Sequence, residues 1–330
     1  MEKELKALMN DRLLTDGASF FDAALGEVKY IGGFQNIIYE YERSGTSYIL
    51  RFTHSSHREI HQVQAELDWI DYLSSSGVSV SRPVASVHGR MLEVLQLKDS
   101  CFIVSSFEKA PGKKIFYPEC MNNDLLSEAC GELTGRIHAL SQTYEPVGRL
   151  ARRHHWNENY YIRHARKYIP ADQHKVWANI ERLMKEMQDL EQGEHYGLIH
   201  GDINVGNFFV DGSRITLFDF DECQYSWFVE DIAIQLFYMI YVVLDDSTPE
   251  RHEQARRFMR FFLQGYEKHH SLDLASLKQM ERFLRLREFI VYVGMHRSFD
   301  MTKLDDWTAA YLRESRRRLE EGIPIVSDLF

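Results

Sequence analysis

The stretch LIHGDINVGNFFVDGSRITLFDFDE, Leu198 to Glu222, sets Asp202, Asn207 and Asp219 among apolar residues. Carboxylates and amides are rarely buried without partners. These interrupt hydrophobic runs instead of decorating a polar face, so either they satisfy one another or they bind something. Phosphoryl transfer from ATP needs such groups. A carboxylate orients the acceptor hydroxyl and takes its proton, and an amide and a second carboxylate hold Mg2+ against the phosphates. Mg2+ takes hard oxygen ligands in an octahedron completed by water and phosphate, so one carboxylate and one amide suffice. Each residue taken singly would also serve as a turn or cap.

The elements around this stretch must position it. Residues 1 to 25 pattern as an amphipathic helix, and EVKYIGGFQNIIYEYERSGTSYILRFT as three strands turning at Gly32-Gly33 and Ser44-Gly45. A helix is expected over 57 to 75, closed by Gly77, and two or three further strands run to about Phe107. KAPGKK, residues 109 to 114, is the linker expected from its Pro and Gly. Beyond it helices are expected at about 121 to 142, 156 to 168, 171 to 191, 228 to 244, 249 to 269, 274 to 297 and 304 to 321. The exception is "NFFV" and "RITLFDF", two short strands joined at Asp211-Gly212. The pattern is α+β and bilobal: a small antiparallel-sheet N-lobe with one main helix over 1–107, and a larger, mostly helical C-lobe over 108–330. That architecture places a ligand cleft between lobes.

"HGDINVGN" followed by "LFDFDE" resembles the HxDxxxxN and DFG-like elements of the protein-kinase-like fold. It is most similar to the aminoglycoside phosphotransferase and choline kinase-like family, and the order of elements matches along nearly the whole chain. The resemblance implies Asp202 as catalytic base, with Asn207 and Asp219 as Mg2+ ligands. It implies that His200 braces the loop and that Asp231, in "VEDIA", bonds the loop backbone.

Upstream, IGGFQN with Gly32 and Gly33 would cover phosphates with backbone N–H groups or be a plain hairpin turn. No GxxxxGK[ST] occurs, which excludes a P-loop enzyme. Arg51 in "YILRFT" stands where this family carries its strand cation, and a guanidinium grips phosphate oxygens bidentately. Glu66 is the preferred partner, with Glu59 as competitor on the same face. FIVSSFEKAPG would be the adenine hinge, with the backbone of Ser105, Ser106 and Phe107 reading the base edge.

The resemblance gives ATP and Mg2+ as cofactors and a small-molecule hydroxyl acceptor, such as an amino alcohol, aminoglycoside or sugar. Asp221, Glu222, Tyr225 and Trp227 follow the metal aspartate and would line the acceptor pocket, or Asp221 would assist the metal. Glu288, Tyr292 and His296 share a helix face and serve either as an acidic, aromatic acceptor wall or as core packing. "DFD" in place of DFG, no APE element and the short span from Asp219 to Asp231 argue against a regulated activation loop. A bacterial-type Ser/Thr protein kinase and a nucleotide-binding pseudokinase are the alternatives.

Composition closes off other classes. The 330 residues carry a net charge of -10, without the basic footprint of a nucleic-acid binder. The basic stretches Arg149 to Lys167 and Arg313 to Arg318 are interleaved with acids or aromatics, as on solvated helix faces. IAIQLFYMIYVVL, Ile232 to Leu244, is too short to cross a bilayer, which takes about 20 residues. Four scattered cysteines without a CxxC pair and an N-terminus without a signal-peptide core fit a cytoplasmic chain. Oligomeric state leaves no mark in the sequence.

Overall fold

The computed structural model describes residues 7–33, 35–146, 152–243 and 249–330. Phe34, the start of the basic stretch at 149–151, and Leu244 lie outside the described residues, as do residues 1–6 of the expected first helix. The chain divides into two compact units. One comprises Met1–Pro111, Glu145–Arg153 and Thr216–Asp221; the other comprises Gly112–Tyr144, His154–Ile215 and Glu222–Phe330. The first division falls between Pro111 and Gly112, inside the Pro/Gly-containing linker.

In the first unit, helix α1 (Asp11–Ser19) starts where the Asn10 side chain accepts from the Leu13 N–H. Strands β1 (Lys29–Gly32), β2 (Ile37–Arg43) and β3 (Thr46–His54) follow as an antiparallel meander. The β2–β3 turn has Ser44 and Gly45 both at positive φ, the backbone that a tight hairpin demands. Helix α2 (Ile60–Ser75) comes next, then β4 (Pro83–Val84), β5 (Leu92–Gln96) and β6 (Cys101–Glu108). The sheet order is β1-β2-β3-β6, with β5 and β4 side by side on the far edge of β6. Phe21, Tyr41, Leu50, Phe52, Phe102 and Val104 form its core.

The second unit is built on helices α3 (Asp124–Ser141), α4 (Tyr160–Tyr168), α5 (His174–Gln188), α6 (Phe228–Ile240), α7 (Glu250–Tyr266), α8 (Leu274–Leu277), α9 (Met280–Ser298) and α10 (Asp306–Glu321). The single helix expected over 274 to 297 is two, α8 and α9. The apolar run beginning at Ile232 belongs to α6, buried along almost its whole length. Glycines let α3 and α7 touch backbone to backbone: a Cβ on Gly131 would sit 1.9 Å from the Phe262 carbonyl oxygen. Strands β7 (Tyr196–Ile199) and β10 (Gln224–Trp227) pair antiparallel and flank the polar stretch. Strands β8 (Phe208–Asp211) and β9 (Arg214–Leu217) make the expected hairpin. No helix among the described residues is long and apolar enough to cross a membrane.

Candidate active site

A buried ion pair joins the sheet of the first unit to its main helix. Arg51 on β3 meets Glu66 on α2 through two parallel bonds of 2.6 and 3.0 Å. Both side chains are buried, at 4% and 0% exposure. Burial alone would lower the Arg51 pKa, but the Glu66 carboxylate outweighs it and the net shift is upward. The guanidinium stays charged. Glu59 is excluded as partner, because it caps the start of α2 in a box with Gln62 and stays exposed. The Phe107 ring lies 4.9 Å beneath the same guanidinium.

Asp219 follows β9 with φ at +64° and an exposed side chain. Aspartate is one of the few residues that tolerate this left-handed backbone. The carboxylates of Asp219 and Asp221 both act through space on Arg51. Asp221 itself is buried and occupied. Its Oδ2 lies 2.6 Å from His57 Nε2, and its backbone carbonyl accepts from Arg58 at 2.9 Å and from Arg153. Arg153 also donates to the Gln62 carbonyl of α2 at 3.2 Å. Burial would raise the Asp221 pKa, yet the charges of His57 and Arg58 hold it well below the usual range. Asp221 therefore clamps the start of α2 instead of lining an acceptor pocket. The sequence reading missed His57, Arg58 and Arg153; a His-Arg pair just ahead of a helix was the available signal.

The hinge expectation requires correction. Ser105, Ser106 and Phe107 pair with Arg51, Leu50 and Ile49 of β3 on one edge. On the other they pair with Leu92, Val84 and Pro83. A strand flanked on both edges has its backbone donors and acceptors committed to the sheet. Ser106 Oγ lies 2.8 Å from the Tyr41 hydroxyl. The backbone of 105–107 is therefore not open to read a base edge. Gly32 and Gly33 have φ of +128° and +122°, and a Cβ on Gly33 would fall 2.0 Å from the Asn36 carbonyl oxygen.

The second unit holds the loop that follows β7. His200 is fully buried, and its Nδ1 accepts from the Asp202 N–H at 3.2 Å. Asp231, at the start of α6, accepts from the His200 N–H at 2.9 Å and the Gly201 N–H at 2.8 Å. Burial would raise the Asp231 pKa, but hydrogen bonding from His138 and the loop amides lowers it. Gly201 has φ +81°, and a Cβ there would sit 2.3 Å from the Glu222 carbonyl oxygen, so only glycine fits. The Asn207 amide nitrogen donates to the Asp202 carbonyl at 2.9 Å and to Asp202 Oδ2 at 3.0 Å. Both donor hydrogens are thus committed to Asp202, leaving the amide oxygen as the atom that can ligate a metal.

Arg287 of α9, which the sequence reading passed over, binds Asp202 Oδ1. It also donates to the Tyr238 hydroxyl at 2.6 Å, with its guanidinium carbon 4.9 Å from that ring's centre. Burial raises the Asp202 pKa; Arg287 is the largest opposing influence, and Glu222 adds to the rise. Asp202 nevertheless keeps 25% of its side chain open to solvent.

The expected acceptor residues do not converge. Glu222 accepts from Asn159 at 3.2 Å. Tyr225 stacks on His155, with centroids 5.3 Å apart. Trp227 pairs with Tyr196 at the end of the β7–β10 ribbon remote from His200, and its indole N–H donates to the Glu191 carbonyl. There it helps wall a cavity of about 500 Å³ with His155, Trp156 and Met187. Glu288 is fully buried and held by Arg318 at 2.7 and 2.9 Å. Tyr292 donates to Gln173 at 3.0 Å, and His296 packs on the Tyr292 ring. The stripe is core packing: Glu288 and Tyr292 are closed to solvent, and their polar atoms meet Arg318 and Gln173.

Known proteins share both the sequence and the fold. The model of the family described as "Phosphotransferase enzyme family" matches residues 29–289. Amicoumacin kinase of Bacillus subtilis (strain 168) is 32% identical over 99% of this chain and 97% of its own. A solved amicoumacin kinase, in complex with AMP-PNP, Ca2+ and Ami, superposes with a TM-score of 0.92 at 33% identity, covering 100% of this chain and 99% of that one. The choline kinase LicA from Streptococcus pneumoniae shares the fold, with a TM-score of 0.61 at 14% identity over 94% of this chain and 99% of its own. The chain belongs to the phosphotransferase enzyme family, and it is a small-molecule kinase on the protein-kinase-like fold.

Proposed function

We propose that the protein transfers the γ-phosphate of ATP, with Mg2+, to a hydroxyl of a small molecule, and that Asp202 is the base. One observation carries this reading: a single amide, Asn207, orients the Asp202 carboxylate through its nitrogen, which leaves its oxygen as the atom for a metal. Arg51, fixed by Glu66, is the cation proposed for the α- and β-phosphates. Asp219 and Asn207 are the proposed metal ligands, one carboxylate and one amide, a hard-oxygen set that suits Mg2+. A divalent cation bound there neutralises charge that develops on the phosphate oxygens. Asp202 accepts the acceptor's proton as the acceptor oxygen bonds the γ-phosphorus and ADP departs.

Amicoumacin is the acceptor to try first, because a kinase named for it is similar along the whole chain. The absence of disulfides among four buried cysteines supports a cytoplasmic setting. Thermal shift with Mg2+-ATP and a panel of alcohols, followed by turnover assays on those that bind, tests the reading. Ligands that bind only the native state raise the melting temperature. A Mg2+-dependent ATP shift, with ADP released on amicoumacin at a rate that falls by orders of magnitude but stays measurable in Asp202→Asn, is expected. No nucleotide shift, or unchanged turnover in Asp202→Asn, would sink it.

A further inference from the structure

The loop from Asp202 to Asn207, DINVGN, contains no cation. The cation that Asp202 meets comes from α9, eighty-five positions along the chain. We infer that Arg287 is a positioning residue for the reaction, fixing the catalytic carboxylate through Oδ1 while Asn207 fixes it through Oδ2. This rests on the reading of Asp202 as base.

Arg287 is 7% exposed, and of its hydrogen-bond partners Asp202 and Gly201 belong to the reaction loop while Tyr238 belongs to α6. One nitrogen binds Asp202 Oδ1 and the Tyr238 hydroxyl; the other lies 3.5 Å from the Gly201 carbonyl. The Tyr238 ring backs the guanidinium plane. Any buried guanidinium needs acceptors, and this one takes two of them from the loop that carries the proposed base. Neighbouring Glu288 shows the contrast, since it turns to Arg318 and away from the loop. With one donor on each oxygen, the carboxylate cannot rotate about its Cβ–Cγ bond without breaking a bond. Each oxygen keeps lone-pair capacity for an incoming hydroxyl. Misplacement of a reacting group by about 1 Å costs on the order of 100-fold in rate, which sets the expected effect.

The test is a double-mutant cycle on the full-length protein, with kcat and KM measured for ATP and for the alcohol that supports turnover. Arg287→Met is expected to lower kcat about 100-fold with little change in either KM. In the Asp202→Asn background the same change is expected to cost less than about threefold, because its target is gone. Equal losses in both backgrounds would make Arg287 structural and overturn the inference. Tyr238→Phe removes one hydroxyl and keeps the ring, so it serves if Arg287→Met does not fold. A severalfold loss of kcat confined to the Asp202 background is expected, and an unchanged kcat would overturn the proposal. The two failures are separable: if Asp202→Asn itself keeps full turnover, the base assignment falls; if it is slowed by orders of magnitude while Arg287→Met is fully active, only the positioning role falls.

Discussion

Asn207 does two jobs with one side chain, and a one-atom change separates them. Asn207→Asp keeps an oxygen for a metal but loses both donors to Asp202 and sets a second carboxylate beside it. Turnover is expected to fall by about 100-fold or more while Mg2+ affinity is retained or raised. Asp219→Ala should do the reverse, abolishing Mg2+-dependent nucleotide binding. Paired measurements of kcat and of the nucleotide Kd with and without Mg2+ check both, and matching effects of the two changes would contradict the division of labour. At this scale the sequence was most legible where the chain is local. Asp202, Asn207, His200 and Gly201 lie within one loop, and their mutual bonds follow from that closeness. Arg287 was not legible, because it is one of three arginines in "RFLRLREFI" and looks like the other two until the fold brings it to Asp202. Glu288, one residue away, was open between an acceptor wall and core packing, and its charge belongs to the core.

Among the elements, the start of α6 buries two adjacent carboxyl groups. Glu230 and Asp231 stand side by side there, yet their partners drive them apart. Asp231 faces amide donors and stays ionised. Glu230 is 2% exposed, and burial pushes its pKa up from 4.5 to about 7, only partly opposed by Ser226 and Gln224. A carboxyl raised in the native state binds more protons folded than unfolded. Its contribution to stability is therefore complete below about pH 4.5 and is lost as pH rises through about 7. A shift of that size corresponds to about 3 kcal/mol. Glu230→Gln should remove the loss, so the variant gains on the wild type between pH 5 and pH 8 in urea unfolding. Parallel pH curves for the two proteins would show that Glu230 does not titrate there. The elements themselves were largely foreseen, since hairpin glycines and helical periodicity are local signals. The hinge at 105–107 was misplaced for a physical reason. The run CFIVSSF, apolar but for two small serines, is buried throughout as an interior strand, whereas base-reading backbone needs an open edge.

Across the whole molecule, the chain passes between its two compact units four times, at 111/112, 144/145, 153/154 and 215/216, and a fifth time after Asp221. The sequence suggested a single cut after Phe107, because composition changes there and the two later segments are too short to announce themselves. Those segments supply Arg153, Asp219 and Asp221 to the first unit. A fragment of residues 1–111 lacks all three, so His57 and Arg58 lose the acceptors they hold in Asp221. Such a fragment should melt without a cooperative transition by circular dichroism, whereas the intact chain melts cooperatively. A sharp transition in the fragment would show that the Asp221 clamp is dispensable. The same clamp bears on inheritance. A crossover near codon 111 that joined this N-terminal third to a distant relative's remainder would place His57, Arg58 and α2 against a carboxylate and arginine shaped by another lineage. Chimeras of these kinases should therefore survive when the short segments around Arg153 and Asp221 travel with the first 111 residues, and fail when breakpoints follow the linker alone.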